Sequence, residues 1–481
     1  MTKLSLLQSA ARVLGAVFLG VPTITLTAGF IYHENKKTEI KSYSKRKDLS
    51  NSTILITGAT SGIGKATAIK LAVGLICSLV PNTTAIKHVL TFFILILTSK
   101  STRPSLDLYG LLRQQSGANI IFGSRNPTTR QETKALLLKA GAQTVLPFPL
   151  DTSSIQSVNS FCDAVLSSTP NGIDIILSAA AEIHTNKKSI QTPDGIDQSF
   201  ATNHLGLHVL LRKLEPSILA KTKEQYNRGL IKPRIVIIGS RLETKGSTLL
   251  SIETLKTSNG SQLVGEATTY GRRLQQSTYE IPILSPMDRY AATKFSNMLL
   301  AQSLYDRWHS KTTSSSSISS ASSSASSSAS SSSSPSIFVL TPGMVNTGLW
   351  RHFPTWYRIL TYPLRAVALR STEEAAMGVL YACTAMEAED IPVANSYVYL
   401  SDGVSIEPSV PARNEKLAEQ LFQVCDDLMN NRKEQQQQQQ QIKETDSMPL
   451  ICKTCGHEMV GDFEARAHVD QSGHTDFVMK E

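Results

Sequence analysis

The chain has 481 residues, 41% of them hydrophobic and 18% charged, which supplies a large core and excludes a wholly disordered protein. Lys and Arg number 48 against 39 Asp and Glu, a net charge of +9, yet residues 1–50 alone hold eight basic and three acidic side chains. The excess belongs to that short stretch, so no basic nucleic-acid-binding face is implied. Six cysteines in so long a chain form no disulfide framework: Cys77, Cys162, Cys383 and Cys425 are scattered, and only Cys452 and Cys455 lie close. This fits a reducing compartment.

Residues 13–32 form an uncharged run of bilayer-spanning length, followed by Lys36, Lys37, Lys41, Lys45, Arg46 and Lys47. Basic residues on that side predict a cytosolic C-terminal bulk. Three readings stay open. The run is a single span; or it is a hairpin or interfacial anchor in a lipid monolayer, with Pro22 near its middle; or it is a mitochondrial presequence. The first two predict a membrane of the endoplasmic reticulum or a lipid droplet.

From Ser52 onward, short β-rich runs (TILIT, ANIIFG, TVLPFPL, IDIILSAA, RIVIIG, SIFVL, SYVYL) alternate with amphipathic segments. That pattern predicts an α/β fold with a doubly wound parallel sheet of Rossmann type over 51–431. Three insertions interrupt it, at 73–115, 244–285 and 312–334, the last nearly all Ser. Residues 432–448 read as a Gln-rich linker, and 449–481 as a compact Cys/His module.

After the first strand comes Thr57-Gly58-Ala59-Thr60-Ser61-Gly62-Ile63-Gly64, then a helix. Glycines at 58, 62 and 64 permit a tight turn and a close backbone approach to a pyrophosphate at the helix N-terminus. Ser61 and Ile63 belong to the same loop. At the end of the second strand, Ser124 and Arg125 stand where an acid would hold the ribose hydroxyls of NAD. A hydroxyl and a cation suit the 2′-phosphate of NADP(H) instead. After the third strand, Asp151 reads either as an adenine contact or as a helix N-cap.

Tyr290 and Lys294 are four apart and share one helix face. A phenol needs help to exchange protons near neutral pH, and an adjacent ammonium lowers its pKa. Ser240 ends the strand RIVIIGS and can hydrogen-bond a carbonyl or alkoxide. Asn203 can help hold a water or the lysine. In this order, after that glycine loop, these residues resemble the short-chain dehydrogenase/reductase superfamily. The resemblance implies Tyr290 as proton donor and acceptor. It implies that Lys294 lowers the tyrosine pKa and binds the nicotinamide ribose, that Ser240 orients substrate, and that Asn203 supports a proton relay. It also implies that Pro342 and Gly343 lie beside the nicotinamide, with Val345 and Thr347 on its carboxamide.

The segment YLSDGVSIEPSVPARNEKLAEQLFQVCDDLM (399–429) looks like the retinol dehydrogenase subgroup, membrane-associated enzymes of lipophilic alcohols and aldehydes. One departure stands out. The family's Asn-Asn-Ala-Gly is Ser178-Ala179-Ala180-Ala181 here, which puts a methyl where the backbone approaches the adenosine side. Insertion 73–115 contains VLTFFILIL and reads as a second membrane contact or as a translated intron. Insertion 244–285 reads as a lid over the substrate mouth or as a disordered surface loop.

Cys452-x2-Cys455-x12-His468-x5-His474 has the ligand types and spacing of a closed structural Zn²⁺ site. The module resembles the small finger of OTU-type deubiquitinases, which implies a protein partner. Two functions follow. One is a membrane-associated, NADP(H)-dependent oxidoreductase of a small lipophilic carbonyl or alcohol. The other is a non-catalytic, membrane-tethered scaffold that recruits a protein through its finger.

Overall fold

The computed structural model describes residues 49–72, 117–184, 190–228, 232–259, 261, 285–314, 334–347, 355, 369–384, 397–401, 403–446 and 449–479. The apolar run 13–32, insertion 73–115 and most of the Ser tract lie outside them. Among the described residues no helix is long and apolar enough to cross a membrane. The chain divides into two compact units, Met1–Phe422 and Gln423–Glu481.

The first unit is built on an eight-stranded sheet. Its strands are β1 (Thr53–Thr57), β2 (Asn119–Ser124), β3 (Thr144–Pro149), β4 (Ile175–Ser178), β5 (Arg234–Ile238), β6 (Ser336–Thr341), β7 (Val398–Ser401) and β8 (Val404–Ile406). Their order is β3-β2-β1-β4-β5-β6-β7-β8, and every pair is parallel except β7–β8. The chain therefore winds outward from β1 in both directions, as expected of a doubly wound Rossmann-type sheet. Strands covered on both faces carry near-continuous apolar runs, and Ile54, Leu55 and Ile56 of β1 are all fully buried. Edge strand β3 differs: it carries Pro147 and Pro149, which cannot donate to a further strand.

One face of the sheet packs under α1 (Gly62–Ala72), α2 (Pro127–Ala140) and α8 (Thr372–Thr384), through Ile56, Phe122, Leu177, Leu71, Leu137 and Val379. The other carries α3 (Ile155–Ser168), α4 (Gly206–Asn227) and α7 (Pro286–Ser314). Helix α4 begins in a π-helical turn, Ala201–Leu205. Gly206 is required there, because a Cβ would stand 2.1 Å from the Thr152 carbonyl oxygen.

The described start of insertion 244–285 is no disordered loop: it holds helices α5 (Glu243–Gly246) and α6 (Ile252–Thr257), the second capped by Ser251. The Gln-rich segment 432–448 is helical to Asp446, since helix α9 runs unbroken over Glu415–Asp446. Gln propagates a helix almost as well as Leu, and the run has no Gly or Pro to stop it. The division between the units accordingly falls inside α9, not after residue 431.

The second unit holds a three-stranded antiparallel sheet, β10-β9-β11, of β9 (Pro449–Cys452), β10 (Glu458–Val460) and β11 (Phe477–Met479). Helix α10 (Gly461–Ser472) follows β10, and Gly473 ends it in the left-handed conformation. Its small core is Cys452, Met459 and Ala465, with Leu450 and Phe477 against them.

Candidate active site

Two adjoining hollows open at the carboxyl ends of β1, β2, β4, β5 and β6, where the sheet order reverses around β1. They share Ser61, Ala179 and Ala181 in their walls. Their floor is the glycine loop. Gly58 has φ +76°, and a Cβ there would lie 2.7 Å from the Ala180 nitrogen. A Cβ on Gly64 would lie 2.3 Å from the Gly58 carbonyl oxygen. Both positions are therefore closed to any side chain, and the loop hugs the β4 turn. Gly62 faces Thr347 with ordinary spacing, so the loop after β6 closes over the glycine loop.

The outer hollow is lined by Ser124, Arg125, Asn126, Leu150, Thr152 and Glu182, among others. Asn126 caps α2 by accepting from the Thr129 nitrogen at 3.1 Å, which fixes the end of β2. Arg130 reinforces it: one guanidinium nitrogen donates to the carbonyls of Ser124 (2.8 Å) and Arg125 (3.3 Å). The Arg125 side chain reaches over the hollow, with Nη2 3.8 Å from Glu182 Oε2. His184 Nε2 lies 3.7 Å from the same oxygen.

The inner hollow gathers Ser240, Tyr290, Lys294, Pro342, Val345 and Thr347. Ser240 follows β5, and its Oγ accepts from the Leu242 nitrogen at 3.2 Å, which leaves the hydroxyl proton to donate. Helix α5, just beyond, seats on α7: a Cβ on Gly246 would meet the Ala291 carbonyl oxygen at 2.1 Å. An ion pair of Lys245 with Asp288 closes the same contact. Burial and these close contacts hold the Ser240 turn against the helix that carries Tyr290.

Tyr290 and Lys294 are both buried on one face of α7. Lys294 Nζ lies 5.5 Å from the Tyr290 ring centroid and donates to the Ile238 carbonyl oxygen at 2.8 Å. Burial pushes the Lys294 ammonium down to about 8. Burial also pushes the Tyr290 phenol up. Desolvation disfavours the charged form of each, so the acid rises and the base falls.

Asn203 is held by its surroundings. In the π-helical turn its Oδ1 accepts from the Glu182 nitrogen at 2.8 Å, and its Nδ2 donates to the Glu182 carbonyl at 2.9 Å and to Thr293 Oγ1 at 3.3 Å. Its own carbonyl accepts from Asn297 Nδ2 at 3.1 Å. An amide with both ends engaged on backbone staples the β4 turn to α4 and α7. Asp151 is not the N-cap of α3. Its Oδ1 accepts from the Ser153 nitrogen (3.0 Å) and Oγ (2.7 Å), and the N-cap of α3 is Ser154. Its neighbours Leu150 and Thr152 line the outer hollow in its place.

All the other expected cofactor and catalytic residues stand in the walls of the two hollows: Gly58, Ser61, Gly62, Ile63, Gly64, Ser124, Arg125, Ser240, Tyr290, Lys294, Pro342, Gly343, Val345 and Thr347. Three residues that matter were missed. Glu182 announces itself only as a charge directly after an apolar strand and an alanine run. Arg130 and Asn297 look like ordinary helix residues, and their contacts are visible only in three dimensions. Ala181 borders both hollows.

In the second unit, Cys452, Cys455, His468 and His474 bring their ligand atoms within 4.8 Å of one another. Cys452 Sγ is 3.6 Å from His474 Nδ1, and Cys455 Sγ is 3.4 Å from His468 Nε2. A tetrahedral zinc ion sets a thiolate and an imidazole about 3.5 Å apart, so this donor set fits the ion. His457 stacks on His468, ring centroids 5.1 Å apart, outside the four.

No family model matches the chain. Several proteins align with most of it at low identity. Dehydrogenase/reductase SDR family member 13 of Homo sapiens is 23% identical over 382 residues, covering 78% of this chain and 72% of that protein. Retinol dehydrogenase 14 of Mus musculus is 23% identical over 385 residues, covering 77% and 84%. A solved short-chain dehydrogenase/reductase from Serratia marcescens superposes with a TM-score of 0.42 and 13% identity, covering 74% of this chain and 99% of that one. The sequence relatives are thus oxidoreductases of the SDR family, retinol dehydrogenase-like among them.

Proposed function

We propose that the first unit is an NADP(H)-dependent short-chain dehydrogenase/reductase acting on a lipophilic carbonyl or alcohol at a membrane. The observation that carries this is the meeting of Ser240, Tyr290 and Lys294 in one wall of a hollow whose floor is the glycine loop. A bound nicotinamide cofactor supplies or accepts the hydride. The cradle fits such a group: two glycines leave no room for a Cβ, and the loop opens the N-terminal end of α1 toward the hollow, which favours a pyrophosphate. Arg125 and Ser124 favour a 2′-phosphate at the outer end. Pro342, Val345 and Thr347 line the nicotinamide end.

In the reductive direction the raised Tyr290 phenol stays protonated through the neutral range and donates its proton to the nascent alkoxide. Ser240 donates to the same oxygen and fixes its position. Lys294, held by the Ile238 carbonyl, places a positive charge beside the ring and favours phenolate once the proton has gone. The relatives' names suggest retinoid-like substrates, and an apolar alcohol would reach the site from a bilayer. For the second unit we propose a structural zinc site, with no open coordination position and hence no catalytic role, presenting the finger to a protein partner.

The test is turnover of the full chain in detergent, with NADPH and a panel of long-chain and retinoid-like aldehydes. Turnover is expected to fall by about 10²–10⁴ in Tyr290→Phe, the range for one general acid, with NADPH binding kept. A wild-type chain that binds NADPH but reduces none of the aldehydes favours the scaffold. One that binds no nicotinamide cofactor overturns the enzyme reading.

A further inference from the structure

The acid at the outer hollow comes from an unexpected strand. Beside Arg125, which directly follows β2, Ser124 and Asn126 are neutral, so the end of β2 offers a cation and no carboxylate. The carboxylate arrives from the β4 turn as Glu182, with its backbone held at both ends by the Asn203 amide. Its side chain is 14% exposed, against 61% for Arg125. One partner is thus fixed in the wall and the other swings from the rim. At 3.8 Å the pair is long and partly solvated, the kind that exchanges partners at little cost.

We propose that Glu182 is a specificity-determining residue that lets this site use NAD(H) as well as NADP(H). This rests on reading the outer hollow as the adenosine end of the cofactor site. With NADP(H), Arg125 leaves Glu182 for the 2′-phosphate, and the nearby carboxylate opposes that dianion. With NAD(H), Arg125 stays paired, and Glu182 accepts from the ribose hydroxyls. Arg125 alone would select NADP(H) strongly; the carboxylate narrows the margin.

The experiment is calorimetric titration of the full chain with NADPH and with NADH, for wild type, Glu182→Gln, Arg125→Ala and the double variant. Wild type is expected to bind both. Glu182→Gln should shift the ratio of the two dissociation constants toward NADPH by about three- to tenfold, the worth of one partly exposed charge. Arg125→Ala should shift it toward NADH. In the Arg125→Ala background the Glu182→Gln gain for NADPH should shrink, because the carboxylate acts partly through the guanidinium. A ratio unchanged within about twofold in Glu182→Gln, or an equal loss for both cofactors, overturns the proposal and leaves the site reading intact. Should Glu182→Gln not fold, Arg125→Ala decides alone: an unchanged ratio overturns the proposal. A wild type that binds neither cofactor overturns the site reading and this inference with it.

Discussion

Tyr290 and Lys294 sit one turn apart in the same buried face, and desolvation moves their proton affinities apart, the phenol up and the ammonium down. For Lys294 the sign is definite. Its ammonium is charged below about 8 and loses its proton as pH rises through that value. The positive charge beside Tyr290 and the phosphate-attracting field of the inner hollow are lost together. We expect kcat/KM for NADPH, which reports the free protein, to be level in the neutral range and to fall as pH rises past about 8. Lys294→Arg, which keeps its charge, should move that fall to higher pH; an identical fall in the variant would assign it to another group. At the same scale, Gly64→Ala puts a methyl 2.3 Å from a carbonyl oxygen that cannot withdraw. Cofactor affinity should drop by at least about tenfold, as read by calorimetry, with the first unit destabilised by about 1–3 kcal/mol. The glycine loop and the Tyr-x3-Lys pair were legible in the sequence because their chemistry is local: spacing alone fixes a turn or a helix face. The clamping contacts of Asn203 and the Ser153 contacts of Asp151 were not legible, since a side-chain amide or carboxylate takes whichever backbone partner packing brings nearest.

Elements position the chemistry more than any single side chain does. Helix α5 connects the Ser240 strand end to α7 through Gly246 on the Ala291 carbonyl and through Lys245–Asp288, while Glu243 accepts from Ser409 Oγ at 2.8 Å in the segment after β8. Gly246→Ala should pry Ser240 from Tyr290 and lower kcat with little effect on NADPH binding. A loss of NADPH affinity equal to the loss in kcat would argue against that positioning role. Asn203→Ala should act on the other side of the site. It frees the Glu182 backbone, so it should cost about 1–3 kcal/mol in thermal or denaturant unfolding and weaken NADPH. The strands were legible from their apolar runs and the order of motifs, because a twice-covered sheet demands such runs. The π-helical turn and the two short helices of the 244–285 insertion were not. They arise from tertiary contacts, not from periodicity, and the Gln-rich run hid a helix behind a composition typical of linkers.

As a whole molecule the chain separates a large α/β unit from a small Cys/His unit, and the two should respond to different insults. Stripping zinc with a strong chelator should unfold the second unit, whose core is only a few residues, and leave NADPH turnover by the first in place. Circular dichroism and activity followed on the same sample would show it; parallel loss of both would refute the independence. In the first unit, the candidate site draws its walls from Gly58 to Thr347, across five strands and their turns. An unfolded chain has no version of such a site. Ligand binding and folding are therefore thermodynamically linked. At a hundredfold excess over its dissociation constant, a cofactor held there adds about 2.7 kcal/mol to the unfolding free energy. The melting temperature of the first unit becomes a ligand sensor, able to rank nicotinamide cofactors before any substrate has been found.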